Sequence, residues 1–191
     1  MNTEIATALV GLGGAVIGAA ASVAATWLTL RHQSQEAKNA RLYEIGRLAA
    51  EEALSELIQL QQFLETVSLP IGPAVRHPWE DSAMGHLRRS VLAMARIPGE
   101  AIVPRVQLSY DLARAYRYGG PRHFLRVRWM RWAVEDLIAV MLEYIRQAEL
   151  PDPTPQVRAC KDTYDRKRRR EAEEYELQEP DDYESEPDDA P

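Results

Sequence analysis

From Ile5 to Leu30 the chain runs for 26 residues without a charged side chain, and Arg31 and His32 end the run. At ~1.5 Å per residue a helix of that length spans about 39 Å, more than the ~30 Å hydrocarbon core of a bilayer. The run therefore predicts a transmembrane helix over residues 5–30, with residues 1–4 as a short extracytoplasmic N-terminus. Its side chains are sorted by size. At 100° per residue, Gly11, Gly14, Ala15, Gly18, Ser22 and Ala25 fall along one stripe, and the large apolar residues, Ile5 to Leu30, occupy the opposite half. Small residues let two backbones approach closely in lipid, so the stripe is the expected seam with a second copy or another membrane helix.

A cleaved signal peptide is the competing assignment. It requires a basic leader and an apolar core of only ~7–15 residues, whereas this chain begins Met1-Asn2-Thr3-Glu4. Basic residues follow the run (Arg31, Lys38, Arg41, Arg47) and none precedes it. The positive-inside rule then places the N-terminus outside and the C-terminus in the cytoplasm of a plasma (inner) membrane, with Trp27 at the interface. The usage of 20 arginines against three lysines suits a GC-rich bacterial genome. Gly11-Leu12-Gly13 with Gly18 is no dinucleotide fingerprint, since no strand precedes it.

The rest is expected to be all-α. Gln33–Arg41 is polar all round, so residues 31–41 should continue the membrane helix as a stalk. Residues 42–150 should form a small antiparallel bundle of about four helices. In the first, Leu42, Ile45, Ala49, Ala53, Leu60, Phe63, Leu64 and Val67 share a face at 3.6 periodicity. A second helix runs from Trp79 or Glu80 to Arg96, striped by Met84, Leu87, Val91 and Met94 and capped by Asp81 or Ser82. A third covers about 100–118, with Ile102, Val106, Ala113 and Tyr116 inward. The fourth spans about 121–149, with Val127, Met130, Val134, Leu137, Ile138, Met141 and Ile145 inward. Pro70, Pro78, Pro98-Gly99 and Gly119-Gly120-Pro121 supply the breaks.

Enzyme motifs are missing, so no catalysis, cofactor or metal is expected. The four histidines are scattered and no phosphate-cradling glycine loop appears. Glu51, Glu52 and Glu56 read as a solvated helix face, and His123 as a hydrogen-bonded core histidine. The single Cys160 falls outside the expected core and allows no disulfide within a monomer.

Two charged constellations remain. Residues 122–132 hold Arg122, Arg126, Arg128 and Arg131 among Trp129, Trp132 and Phe124. This segment either meets anionic headgroups or a protein partner, or fills a bundle corner with arginine stems laid across tryptophans. A nucleic-acid surface is the weakest of the readings. Residues 151–191 are expected to be disordered. They contain the unbroken basic run Arg166, Lys167, Arg168, Arg169 and Arg170, then eleven acidic and no basic residues from Glu171 to Pro191. The formal net charge of −6 thus divides into +5 over residues 1–170 and −11 over the last 21.

The layout implies a membrane-tethered scaffold, adaptor or regulator working through protein contacts, alone in the bilayer as a homo-oligomer or beside another membrane helix, with a cytoplasmic partner. The alternative is an oligomerising membrane-active effector that forms a pore or lesion. Against it, the membrane helix has no polar stripe beyond Thr and Ser to line water.

Overall fold

The structure, a computed structural model, describes the backbone of residues 2–68 and 77–178, with side chains for residues 26–68 and 77–176. Every element among these residues is helical: α1 (Asn2–Thr66), α2 (Pro78–Met94), α3 (Ile102–Arg114), a 3-10 turn (Tyr116–Gly119), α4 (His123–Ile145) and α5 (Pro155–Gln178). The chain divides into two units, Met1–Ile45 and Gly46–Pro191.

In the first unit, the membrane stripe Gly11, Gly14, Ala15, Gly18, Ser22 and Ala25 lies outside the described side chains. Among the described residues, no helix is long and apolar enough to cross a membrane. Trp27, Leu28 and Leu30 are exposed, and the Arg31 guanidinium lies 5.2 Å from the Trp27 ring centroid. Residues 31–42 are exposed and helical throughout, as a stalk requires. The expected apolar face starts too early, however, because Leu42 and Ile45 are 49% and 46% exposed. Burial begins at Gly46, where the Tyr144 hydroxyl and Pro98 Cδ fill the space a Cβ would need.

The second unit is an up-and-down bundle whose directions follow from its cross-links. Glu52 pairs with Arg96, and Glu56 with His86 at 2.9 Å, so α1 and α2 are antiparallel. Trp129 Nε1 donates to the Leu112 carbonyl at 2.8 Å and Ser109 Oγ to Asp136 at 2.5 Å, which sets α4 antiparallel to α3. Leu57, Leu60, Leu87, Leu112, Met130, Leu137 and Met141 are fully buried in the shared core.

Two sequence expectations are corrected here. Asp81 and Ser82 do not cap α2: His77 is its N-cap, its ring Nδ1 accepting from the Trp79 amide at 3.4 Å, and Pro78 stands in the first turn where its missing N–H costs nothing. The larger correction concerns residues 151–178, expected to be disordered. Pro155–Gln178 forms a fifth helix antiparallel to α4. Val157 and Cys160 are 0% and 3% exposed in the core, and Tyr164 stacks edge-on against Tyr118 at 5.1 Å. Three anchors at i, i+3 and i+7 suffice, since burying a side chain such as Val contributes about 1.5–3 kcal/mol. The prolines are punctuation between α4 and α5, and Thr154 Oγ1 accepts from the Val157 amide at 3.3 Å to start the helix. Residues 179–191 lie outside the described residues.

Candidate interaction surface

Two buried carboxylates, neither singled out by sequence reasoning, fix the geometry around α4. Asp136 is 1% exposed and joins three elements: Arg105 of α3 at 2.6 Å, Ser109 of α3, and the Thr154 amide before α5 at 3.2 Å. Arg105 Nε also donates to the Pro151 carbonyl at 2.7 Å, which clamps the α4–α5 connection. Glu80, 2% exposed, accepts from the Tyr116 hydroxyl at 2.5 Å and from Arg117 at 3.2 Å. Its other oxygen makes no hydrogen bond and lies 3.5 Å from Arg126. Burial, then the bond to Glu80, pushes the Tyr116 hydroxyl pKa up, so Tyr116 remains a donor. Glu80 thereby ties the start of α2 to the 3-10 turn and the start of α4. Nearby, Trp79 Nε1 donates to His123 Nδ1 at 3.1 Å, and His123 is a buried, hydrogen-bonded histidine as its apolar helix position suggested.

The six residues singled out in 122–132 separate by helix face. Trp129 is buried with its indole bonded to Leu112, and Arg126 is half-buried, its Nε donating to the Gly120 carbonyl at 3.1 Å. Both are structural. Arg122 is exposed at the N-cap of α4. Arg128, Arg131 and Trp132 line one groove of about 400 Å³ on the outer face of α4, together with Phe124, Val127 and Glu135. The Arg128 guanidinium lies 5.2 Å from the Trp132 ring centroid. Arg131 bonds Glu135 at 2.9 Å and lies 3.9 Å from Glu65 of α1; the bond to Glu135 raises its pKa further and fixes the charge. Phe124, 49% exposed, completes the groove; sequence reasoning counts it among the aromatics of the segment without naming it a contact residue. Its signal was present: an aromatic at the helix start, off the inward stripe.

The basic run of the last helix is brought to the same end of the bundle. Tyr118, four residues before Arg122, receives at its carbonyl the Lys167 ammonium at 3.0 Å. Its hydroxyl donates to Glu171 at 2.6 Å, the main reason its pKa is raised. Arg168 lies 5.8 Å from the Tyr164 ring centroid, and Arg166 bonds back to the Asp162 carbonyl at 3.2 Å. Arg169 and Arg170 are exposed. Cys160 is no reactive thiol: burial pushes its pKa up to about 11, outweighing the opposing charge of Arg128.

Among the described residues there is no group of three or more His, Cys, Asp or Glu placed to hold a metal ion. No protein-family model, curated protein or solved structure matches the chain.

Proposed function

We propose that the protein is a membrane-tethered scaffold or adaptor that presents the outer face of α4 to an anionic protein partner. The observation that carries this reading is the groove between Phe124, Arg128 and Trp132: an exposed phenyl ring and a half-buried indole flanked by guanidiniums on a helix whose opposite face is locked into the core. Arg and aromatic side chains held on a rigid element lose little conformational freedom on binding, which is why they dominate interface energetics. Tethering rests on the uncharged run Ile5–Leu30 and on the Trp27–Arg31 pair at its C-terminal end, in the interfacial position. In this reading the N-terminus is outside, the bundle is cytoplasmic in the plasma (inner) membrane, and the small-residue stripe pairs anchors within the bilayer.

The test is affinity purification from native membranes after mild crosslinking, comparing the natural chain with Arg128→Glu. A stoichiometric protein captured by the natural chain and lost from Arg128→Glu supports the adaptor. Self-multimers alone, with dye leakage from vesicles holding the protein, would overturn it in favour of a pore-forming effector. Alkaline extraction tests the anchor separately: release of the chain from membranes would refute tethering.

A further inference from the structure

The groove on α4 asks for a ligand with a specific chemistry. Arg131 shares its charge between Glu135 and Glu65, whereas Arg128 has no carboxylate partner among the described residues and lies over Trp132. A guanidinium over an indole beside an exposed Phe124 suits a carboxylate-rich segment that also carries an aromatic ring. The chain contains one. Residues 179–191 hold seven acidic side chains, no basic one, and Tyr183.

Helix α5 runs antiparallel to α4, passes the start of α4 where Glu171 meets Tyr118, and ends at Gln178. From Glu171 to Gln178 the helix advances only ~10 Å, while thirteen extended residues reach up to about 43 Å. The segment is covalently tethered, so a contact with the groove would form at an effective concentration in about the millimolar range. The arginines of α5 offer charge to the same carboxylates, but the groove adds an aromatic cleft.

We infer that residues 179–191 fold back into the groove formed by Phe124, Arg128, Arg131 and Trp132. This intramolecular contact stands without the adaptor reading of the groove.

The experiment uses the full chain in detergent micelles with Ala190→Cys carrying a nitroxide, Cys160 being buried and left unlabelled. The indole N–H signal of Trp132, assigned with Trp132→Phe, is compared between the oxidised and reduced label. Docking predicts at least a twofold loss of Trp132 intensity in low salt. That loss disappears in high salt and in Arg128→Glu, and persists in Arg169→Glu. Equal intensities with oxidised and reduced label would overturn the inference. So would a loss that survives Arg128→Glu but vanishes in Arg169→Glu, because the segment would then lie on α5. Partner capture is not read here, so failure of this contact and failure of the adaptor reading are separate results.

Discussion

Helix α1 behaves as two regions that share one backbone. Before Gly46 the described side chains are exposed apart from the half-buried Tyr43, and they include Trp27, Leu30, Leu42 and Ile45. After it, Ala49, Ala50, Ala53, Leu57, Leu60 and Leu64 are buried. Both halves are helical although the first carries Gly11, Gly13, Gly14 and Gly18, so helix propensity does not mark where burial begins. What distinguishes them is what comes back along the chain. Pro98 and the end of α4 at Tyr144 pack over Gly46, where burial begins. The helix before that point carries i,i+4 pairs such as His32–Glu36; the helix after it is held by packing.

The comparison is broken most severely by emptying the clamp that closes the bundle. Asp136→Ala leaves Arg105 buried without its partner and frees the Thr154 amide, and should lower stability by about 3–5 kcal/mol. Urea unfolding followed at Trp129 and Trp132 would measure it. A loss below ~1 kcal/mol would mean that α5 is not clamped through Asp136. Next, Leu57→Ala removes a fully buried side chain of α1 and should cost about 2–5 kcal/mol in the same experiment.

A smaller effect is set by pH. Burial alone would raise the Glu56 carboxyl pKa, but hydrogen bonds and charge from His86 and Arg89 outweigh it and hold the pKa below its ordinary value of 4.5. A carboxylate whose pKa is lowered on folding stabilises the fold above its unfolded pKa, and that contribution is lost as pH falls through the folded one. Glu56→Gln should therefore be less stable than the natural chain at pH 7 by up to about 1 kcal/mol, as for partly exposed pairs. The difference should close under acid, below the ordinary carboxylate range. A gap that stays constant down to pH 3 would remove the ion pair from the account.

Much of this fold was legible in the sequence. The breaks at Pro98-Gly99 and Gly119-Gly120 separate α2, α3 and α4 as read, because proline and positive-φ glycine leave few alternatives; Gly99 and Gly120 have φ of 119° and 141°. Of the stripe predicted for α4, Val127, Met130, Val134, Leu137 and Met141 are buried, while Ile138 and Ile145 pack against the core half-buried. Helix α5 was hidden by charge: mean composition over 151–191 masks the three anchors Val157, Cys160 and Tyr164 within it. The buried Glu80 and Asp136 were illegible for another reason. A carboxylate enters a core only with partners, and Arg105, Ser109, Tyr116 and Arg126 are far from them in sequence. The groove was half legible, since helical phase separates Arg128, Arg131 and Trp132 from Trp129 only once the core side of α4 is known.

The smallest expected effect is the one that sharpens the comparison most. Leu42→Gln with Ile45→Gln changes two exposed apolar residues in the first region of α1. Gln is about as good a helix former as Leu and no worse than Ile, so helix propensity predicts a change within about 0.5 kcal/mol. If the half-exposed Leu42 and Ile45 are covered by nothing else, unfolding of the full chain in detergent should be unchanged and its oligomeric state the same. If they were instead buried against a second copy, each side chain would carry about 1.5–3 kcal/mol of burial, and the double variant would lower both stability and oligomer mass. Light scattering beside urea unfolding separates the two cases. The glycine stripe is tested beside them: Gly14→Leu with Gly18→Leu should weaken self-association in membranes.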